Sequence, residues 1–203
     1  MFGLTWNQRN LLAEGIGEAR AGGGLTELGR EMVAEANRLG ILLDASHLSV
    51  KSFWDLIEIS TRPVIASHSN ATALCAHPRN IDDEQIRAIV ASGGVIGVNA
   101  VAKFIADDPA EASIDRMLDH LDHIVSVAGV ENVALGPDFV DYLRTGPDAP
   151  FDDAPGIAPT GFATITDLPN VTAGLLTRGY DEAAVRGILG GNMLRLLDTV
   201  MAG

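Results

Sequence analysis

Ile41-Leu42-Leu43-Asp44-Ala45-Ser46-His47 and Pro63-Val64-Ile65-Ala66-Ser67-His68 decide how this chain folds. Each is an apolar, strand-like run that ends in a histidine and opens directly into a helix signal. Between them, Val50 to Ser60 has the spacing of one amphipathic helix, with Ser49 as its cap. A strand, a helix and a strand in that order make two parallel neighbours. Both imidazoles then arrive at the carboxyl edge of one sheet, where parallel α/β proteins keep their chemistry. Two neutral imidazoles side by side there suit a divalent metal.

The alternation continues outward in both directions. Phe2 to Thr5 is a short apolar start, and Thr26 caps a predicted helix with Leu28, Met32, Val33, Ala36 and Leu39 on one face, stopped by Gly40. Asp82 with Gln85 forms a capping box for a helix that ends at Gly93-Gly94, and Val95 to Val98 is the next strand. Ser113 opens a helix whose apolar positions 114, 117, 118, 121, 124, 125 and 128 form one stripe, ended by Gly129. On that pattern His120 and His123 lie off the stripe, on a solvated face. Val133 to Gly136 is the last clear strand. The tail predicts a helix with Pro169 in its first turn, another after Asp181 and a third after Gly190-Gly191-Asn192. Residues 141–163, rich in Pro, Gly and Asp, are too long for an ordinary connection and read as a lid or a surface loop.

The whole chain, 1–203, reads as one α/β domain with about five parallel strands. That suits an open doubly wound sheet or part of an eight-stranded barrel, although a complete barrel takes about 250 residues. No glycine-rich phosphate loop follows the first strand, which weakens the dinucleotide-binding version. The 47% hydrophobic content provides a large core, and a net charge of −13 with a pI near 4.6 disfavours nucleic acid and anionic membranes as partners. No apolar run approaches the roughly 18 to 20 residues of a membrane span. One cysteine, Cys75, excludes an internal disulfide and fits a reducing, cytoplasmic setting. Beside His77 it reads as a small buried residue rather than a nucleophile.

The order of motifs resembles the renal or membrane dipeptidase family of zinc peptidases. The resemblance is carried by Asp44-Ala45-Ser46-His47-Leu48-Ser49, Ala66-Ser67-His68-Ser69-Asn70, His77-Pro78-Arg79-Asn80 and Gly93-Gly94-Val95-Ile96-Gly97-Val98-Asn99. It continues through His120-Leu121-Asp122-His123, Gly136-Pro137-Asp138-Phe139, Arg178-Gly179-Tyr180 and Gly190-Gly191-Asn192-Met193-Leu194-Arg195. That family is an α/β barrel of the TIM type with a two-zinc site, so the resemblance implies a partial (β/α)8 barrel made of about its last five strands. His47 and His68 match the ligands of one zinc. Arg79 matches the arginine that grips the substrate's free carboxylate, with Asn80 and Trp6 as further substrate-binding candidates. Asp138 matches the acidic residue that exchanges a proton with the attacking water. The implied activity is hydrolysis of dipeptides, and the implied assembly is a homodimer.

Two departures qualify these expectations. The family's other zinc is held by a His-x-Asp pair and a bridging glutamate upstream of anything seen here, and no histidine precedes His47. Trp6 stands where well-known members carry a substrate-binding histidine, and Val140 interrupts the usual Asp-Phe-Asp-Gly. The expectation is a truncated dipeptidase supplying ligands for one zinc. A barrel missing about three strands would expose two sheet edges and the apolar inner face those strands cover. Two alternatives stay open: another metal-dependent barrel hydrolase acting on lactones or amides, and a non-catalytic fragment.

Overall fold

The computed structural model describes residues 1–139 and 158–201. Five short strands run in parallel: β1 (Phe2–Gly3), β2 (Leu43–Asp44), β3 (Val64–Ile65), β4 (Ile96–Val98) and β5 (Val133–Leu135). β1, β2 and β3 pair in that order, and β4 pairs with β5. A parallel bridge between Ala66 and Ile96 joins the two groups. The strand-like run that continues β3 hands its hydrogen bonds from one neighbour to the next: Ala45 N–H donates to Ile65 at 2.7 Å, and Gly97 N–H donates to Ala66 at 2.8 Å. The strands are shorter than the apolar runs predicted, because the ladder gives way to turns where the runs reach the edge.

Helix α1 (Glu27–Arg38) leads into β2, and α2 (Val50–Ile59) joins β2 to β3. Helix α3 (Asp83–Ala91) leads into β4, and α4 (Ala102–Ile105) and α5 (Ile114–Ala128) lead into β5. The predicted caps form. Thr26, Ser49 and Ser113 each accept a hydrogen bond from a backbone N–H in the first turn, and Asp82 with Gln85 closes a reciprocal box. Each such cap is worth about 1 kcal/mol. The tail carries α6 (Leu168–Thr177), α7 (Glu182–Arg186) and α8 (Asn192–Met201), with a wide turn at Gly187–Gly191 separating the last two. Among the described residues no helix is long and apolar enough to cross a membrane.

Three expectations are corrected. Helix α1 buries Gly29, Val33, Ala36 and Asn37, while Leu28 and Leu39 are about half exposed. Glycine at position 29 lets the helix lie against the Leu12 carbonyl, where a Cβ would come within 2.0 Å, and this rotates the buried face away from Leu28. His120 is buried rather than solvated: its Nδ1 accepts from the Ala71 N–H at 3.1 Å and its Nε2 lies 3.0 Å from the Ile105 carbonyl. Lastly, the second face of the sheet is covered. Strand residues alternate between faces, and Leu43, Val64, Ile96 and Val133 join the large core that also holds Phe53, Leu56, Ile86, Leu118 and Leu121. Their neighbours Leu42, Ile65, Val95 and Ala134 point the other way, and α8 lays Leu196 and Val200 against them. Asn192 fixes the start of α8 by donating to the Val130 and Val133 carbonyls at 2.8 and 2.7 Å.

Candidate active site

The carboxyl edge of the sheet gathers the predicted residues. His47 leaves β2 with φ 74° and Asp138 follows β5 with φ 60°; among the described residues these are the two non-glycine positions in the left-handed region. Such a conformation costs of order 1–3 kcal/mol and persists where surrounding structure enforces it, often at functional sites. The turn at His47 aims its ring across the edge, so that its Nε2 stands 2.8 Å from Nε2 of His68. The ring centroids are 4.8 Å apart.

Both rings are held from behind. Nδ1 of His47 lies 2.9 Å from the side-chain oxygen of Asn7, and Nδ1 of His68 lies 2.6 Å from Ser67 Oγ. Ser67 Oγ in turn donates to Asp44 Oδ2 at 2.5 Å, and Asp44 Oδ1 accepts the backbone N–H groups of Ser46 and Ser67. Asn7, Asp44 and Ser67 are functional neighbours that sequence reasoning missed. Asp44 and Ser67 sat in plain view within the two decisive runs, whereas Asn7 belongs to a loop with no periodic signal.

Burial pushes His47 far below the usual imidazole range, to about 2, and the nearby Arg79 and His68 charges push the same way. Burial and then Arg79 also lower His68. Neutral imidazoles present lone pairs, which is what a metal ligand needs. The pair therefore fits as part of a divalent-metal site. Among the described residues no group of three or more His, Cys, Asp and Glu side chains is placed to complete one.

Arg79 is buried, and its guanidinium lies 5.5 Å from the centre of the Phe104 ring. Its contact with the His68 carbonyl is long, at 3.5 Å. Among the described residues no carboxylate forms an ion pair with it. Burial lowers it to about 10, while Asp138 and Asp44 act in the opposite sense, which puts both carboxylates within electrostatic reach. Asp138 is itself exposed to solvent and raises His68. Trp6 stacks obliquely beside His47 at 5.9 Å.

Asn80 is placed differently from Arg79. Its amide nitrogen donates to the carbonyls of Cys75 and Phe104 at 2.9 and 2.8 Å, which clamps the loop carrying Arg79. Cys75 is buried and its thiol is pushed up by burial and by Asp107, which disfavours the thiolate. His120 and His123 stay apart from the pair, His123 meeting Asp83 at 2.8 Å. The Arg178 and Tyr180 motif serves structure: Arg178 reaches Asp119 and Asp122 on α5, and Tyr180 donates to Asp122 at 2.7 Å. Val140 and residues 141–157 of the predicted lid fall outside the described residues.

Comparison with known proteins gives a consistent picture. The model of the membrane dipeptidase family, peptidase family M19, matches residues 1–202. A Klebsiella pneumoniae protein described as an uncharacterized protein in the pqqA 5' region is 34% identical over 207 residues, covering 98% of this chain and 71% of that one. Among solved structures, a metallo peptidase from Rhodobacter sphaeroides, liganded with a phosphinate mimic of the dipeptide L-Ala-D-Ala, is 36% identical with a TM-score of 0.83. An amidohydrolase from Pseudomonas aeruginosa is 31% identical with a TM-score of 0.87. The alignments cover 97% and 99% of this chain but only 54% and 64% of those two.

Proposed function

This chain belongs to the membrane dipeptidase family, and on that premise we propose that it supplies the carboxyl-edge half of a metal-dependent dipeptidase site. The observation that carries the reading is the convergence of His47 and His68 at 2.8 Å beside the buried Arg79, which among the described residues forms no ion pair. His47 and His68 would hold a metal, which we take to be zinc; when bound it would supply Lewis-acid chemistry to the scissile carbonyl and the attacking water.

The rest falls to the chain's own side chains. Arg79 binds the free carboxylate of the dipeptide with its planar guanidinium fork, and the buried setting strengthens that contact. Asp138 accepts a proton from the attacking water and passes it to the leaving amine, so that a C–O bond forms, the C–N bond breaks and the proton ends on nitrogen. Trp6 borders the substrate beside His47, and Asn80 acts on substrate indirectly, through the loop that carries Arg79. The fold is read as the last five strands of a TIM-type barrel forming one domain, 1–203, with residues 141–163 as its lid. We take the chain to be cytoplasmic and, by family resemblance, a homodimer.

A buried guanidinium that forms no ion pair among the described residues favours a substrate with a free carboxylate over a neutral lactone or amide. The test is metal content and ligand binding measured on the purified 203-residue chain, with dipeptides and their C-amidated counterparts as ligands. Zinc bound through His47 and His68, dipeptides bound in preference to the amidated forms, and that binding weakened about tenfold or more by Arg79→Ala, is the expected result. Equal binding of the amidated forms would transfer the chain to the broader amidohydrolase reading, and absence of both metal and dipeptide binding would overturn the proposal.

A further inference from the structure

His68 is tied to Asp44 through a single hydroxyl. Ser67 Oγ lies 2.5 Å from Asp44 Oδ2 and 2.6 Å from His68 Nδ1. Its remaining side-chain neighbour, Ser46 Oγ, is at 3.5 Å, too far to compete. A serine hydroxyl has one proton and can accept others. A carboxylate has none to give, and Asp44 Oδ1 is already turned toward two backbone donors, Ser46 N–H at 3.0 Å and Ser67 N–H at 2.9 Å. The hydroxyl proton therefore goes to Asp44, and the short contact to His68 is closed by a proton on Nδ1. Nε2 of His68 therefore faces Nε2 of His47, 2.8 Å away, as a lone pair. Two neutral rings carry two protons for three contacts, so in the metal-free chain the proton of His47 closes either the 2.9 Å contact of its Nδ1 with Asn7 or the Nε2 contact with His68.

We propose that Asp44 and Ser67 are positioning residues that fix the Nδ1–H tautomer of His68, aiming its Nε2 lone pair at the point it shares with His47. The assignment rests on the reading of this pair as metal ligands only for its purpose; the proton placement stands on the hydrogen bonds. Outer partners of this kind typically contribute 10–100-fold in metal affinity. Here the carboxylate acts at one remove, through a hydroxyl whose direction it sets.

That direction is reversible by one atom. Asp44→Asn keeps the shape and, with its oxygen still facing the Ser46 and Ser67 N–H groups, turns an NH2 toward Ser67 Oγ. Ser67 is then free to donate to Nδ1 of His68, which moves the ring proton to Nε2, where it bonds His47 instead of leaving a lone pair. Ser67→Ala removes the connection without reversing it, and Ser67→Thr restores it.

The experiment is a long-range ¹H–¹⁵N correlation spectrum of the metal-free, histidine-labelled full chain, with His47→Gln and His68→Gln used to assign the two rings. Zn²⁺ affinity is measured separately by competition with a chromophoric chelator. Expected are an Nδ1–H tautomer for His68 in the native chain, an Nε2–H pattern for His68 in Asp44→Asn, and Zn²⁺ affinity lowered 10–100-fold in that variant and recovered in Ser67→Thr relative to Ser67→Ala. An Nε2–H pattern for His68 in the native chain would overturn the proposal, as would a native-like pattern in both Asp44→Asn and Ser67→Ala. Should Asp44→Asn fail to fold, the Ser67 pair decides by itself. The native His68 tautomer as expected in a chain that binds no Zn²⁺ would sink the proposed function while leaving the relay intact.

Discussion

Gly136, just past β5, backs directly onto His68: a Cβ built there would lie 1.9 Å from the Ser67 carbonyl oxygen and 3.2 Å from His68 Cα. Gly97 on β4 makes the same approach, with its absent Cβ 2.1 Å from the same oxygen. The backbone that carries His68 is thus seated against two strands that can come close only because they lack side chains at these points. Gly136→Ala is expected to cost at least the roughly 1–3 kcal/mol of an overpacked core and to shift the His68 ring resonances. Gly93→Ala is the comparison, because φ is 86° there but the new Cβ would meet nothing closer than Pro63 at 3.6 Å. It should cost about 1–2 kcal/mol of backbone strain and leave His68 untouched. Urea midpoints and histidine spectra of the two variants check both statements, and a Gly136→Ala protein with native stability would show that the strands have room to spare.

His120 should act on stability and on its pH dependence. Replacement by Phe leaves the Ala71 N–H and the Ile105 carbonyl buried without partners, a loss of about 1–3 kcal/mol for each group left unsatisfied. His120→Gln restores one acceptor and one donor and is expected to recover part of that loss. Burial lowers the folded-state pKa of His120 from the ordinary 6.5. The unfolded chain therefore binds more protons below about pH 6.5, and stability falls as the pH drops through that window while remaining level above it. The other lowered histidines add to the same acid limb, so the diagnostic quantity is the difference: His120→Gln should flatten the slope between pH 6.5 and 5. An unchanged slope would place the titration elsewhere.

His120 also shows where sequence reading stops. The stripe of α5 is correct in every apolar position, and the caps at Thr26, Ser49, Asp82 and Ser113 could be named in advance because each depends on residues within one turn. A polar residue on the flank of a stripe is assigned to solvent by hydropathy, yet a backbone N–H from position 71 and a carbonyl from position 105 make burial of His120 favourable. Neither partner is local. The same holds at the site: His47 and His68 were legible because strand ends deliver them to one edge, while Asn7 stands 40 positions from His47 in a loop without periodicity. Leu28 and Leu39 were misplaced because a glycine contact, not the count of apolar residues, sets the rotation of α1.

Helix α8 provides a third prediction. The expectation of a bare inner face fails because Leu196 and Val200 pack on Leu42, Ile65, Val95 and Ala134. Leu196→Ala should cost about 2–5 kcal/mol, the range for a buried leucine, and should increase binding of a hydrophobic dye as this face opens. Leu194→Ala, on the same helix but 64% exposed, should leave stability within about 0.5 kcal/mol of the native value. Equal effects at 194 and 196 would mean that α8 lies differently on the sheet.

The last prediction concerns water. Ser69 Oγ and Asn80 Oδ1 are buried and have no hydrogen-bond partner among the described residues, and both residues line a small, partly open space of about 20 Å³ beside His47 and Arg79. Leaving two buried polar atoms bare would cost about 1–3 kcal/mol each, whereas a space of this size admits one water, which needs at least two polar partners. A crystal structure at a resolution that shows ordered solvent should therefore place a single water there, bonded to Ser69 and Asn80. That water would join the start of the loop after β3 to the residue following Arg79. Ser69→Ala should then loosen Arg79, which hydrogen exchange at its backbone N–H would report as faster opening, since that N–H relies otherwise on His77 Nδ1 at 3.1 Å. A dry cavity would instead require the two side chains to have turned toward other partners, and exchange at Arg79 would then be indifferent to Ser69.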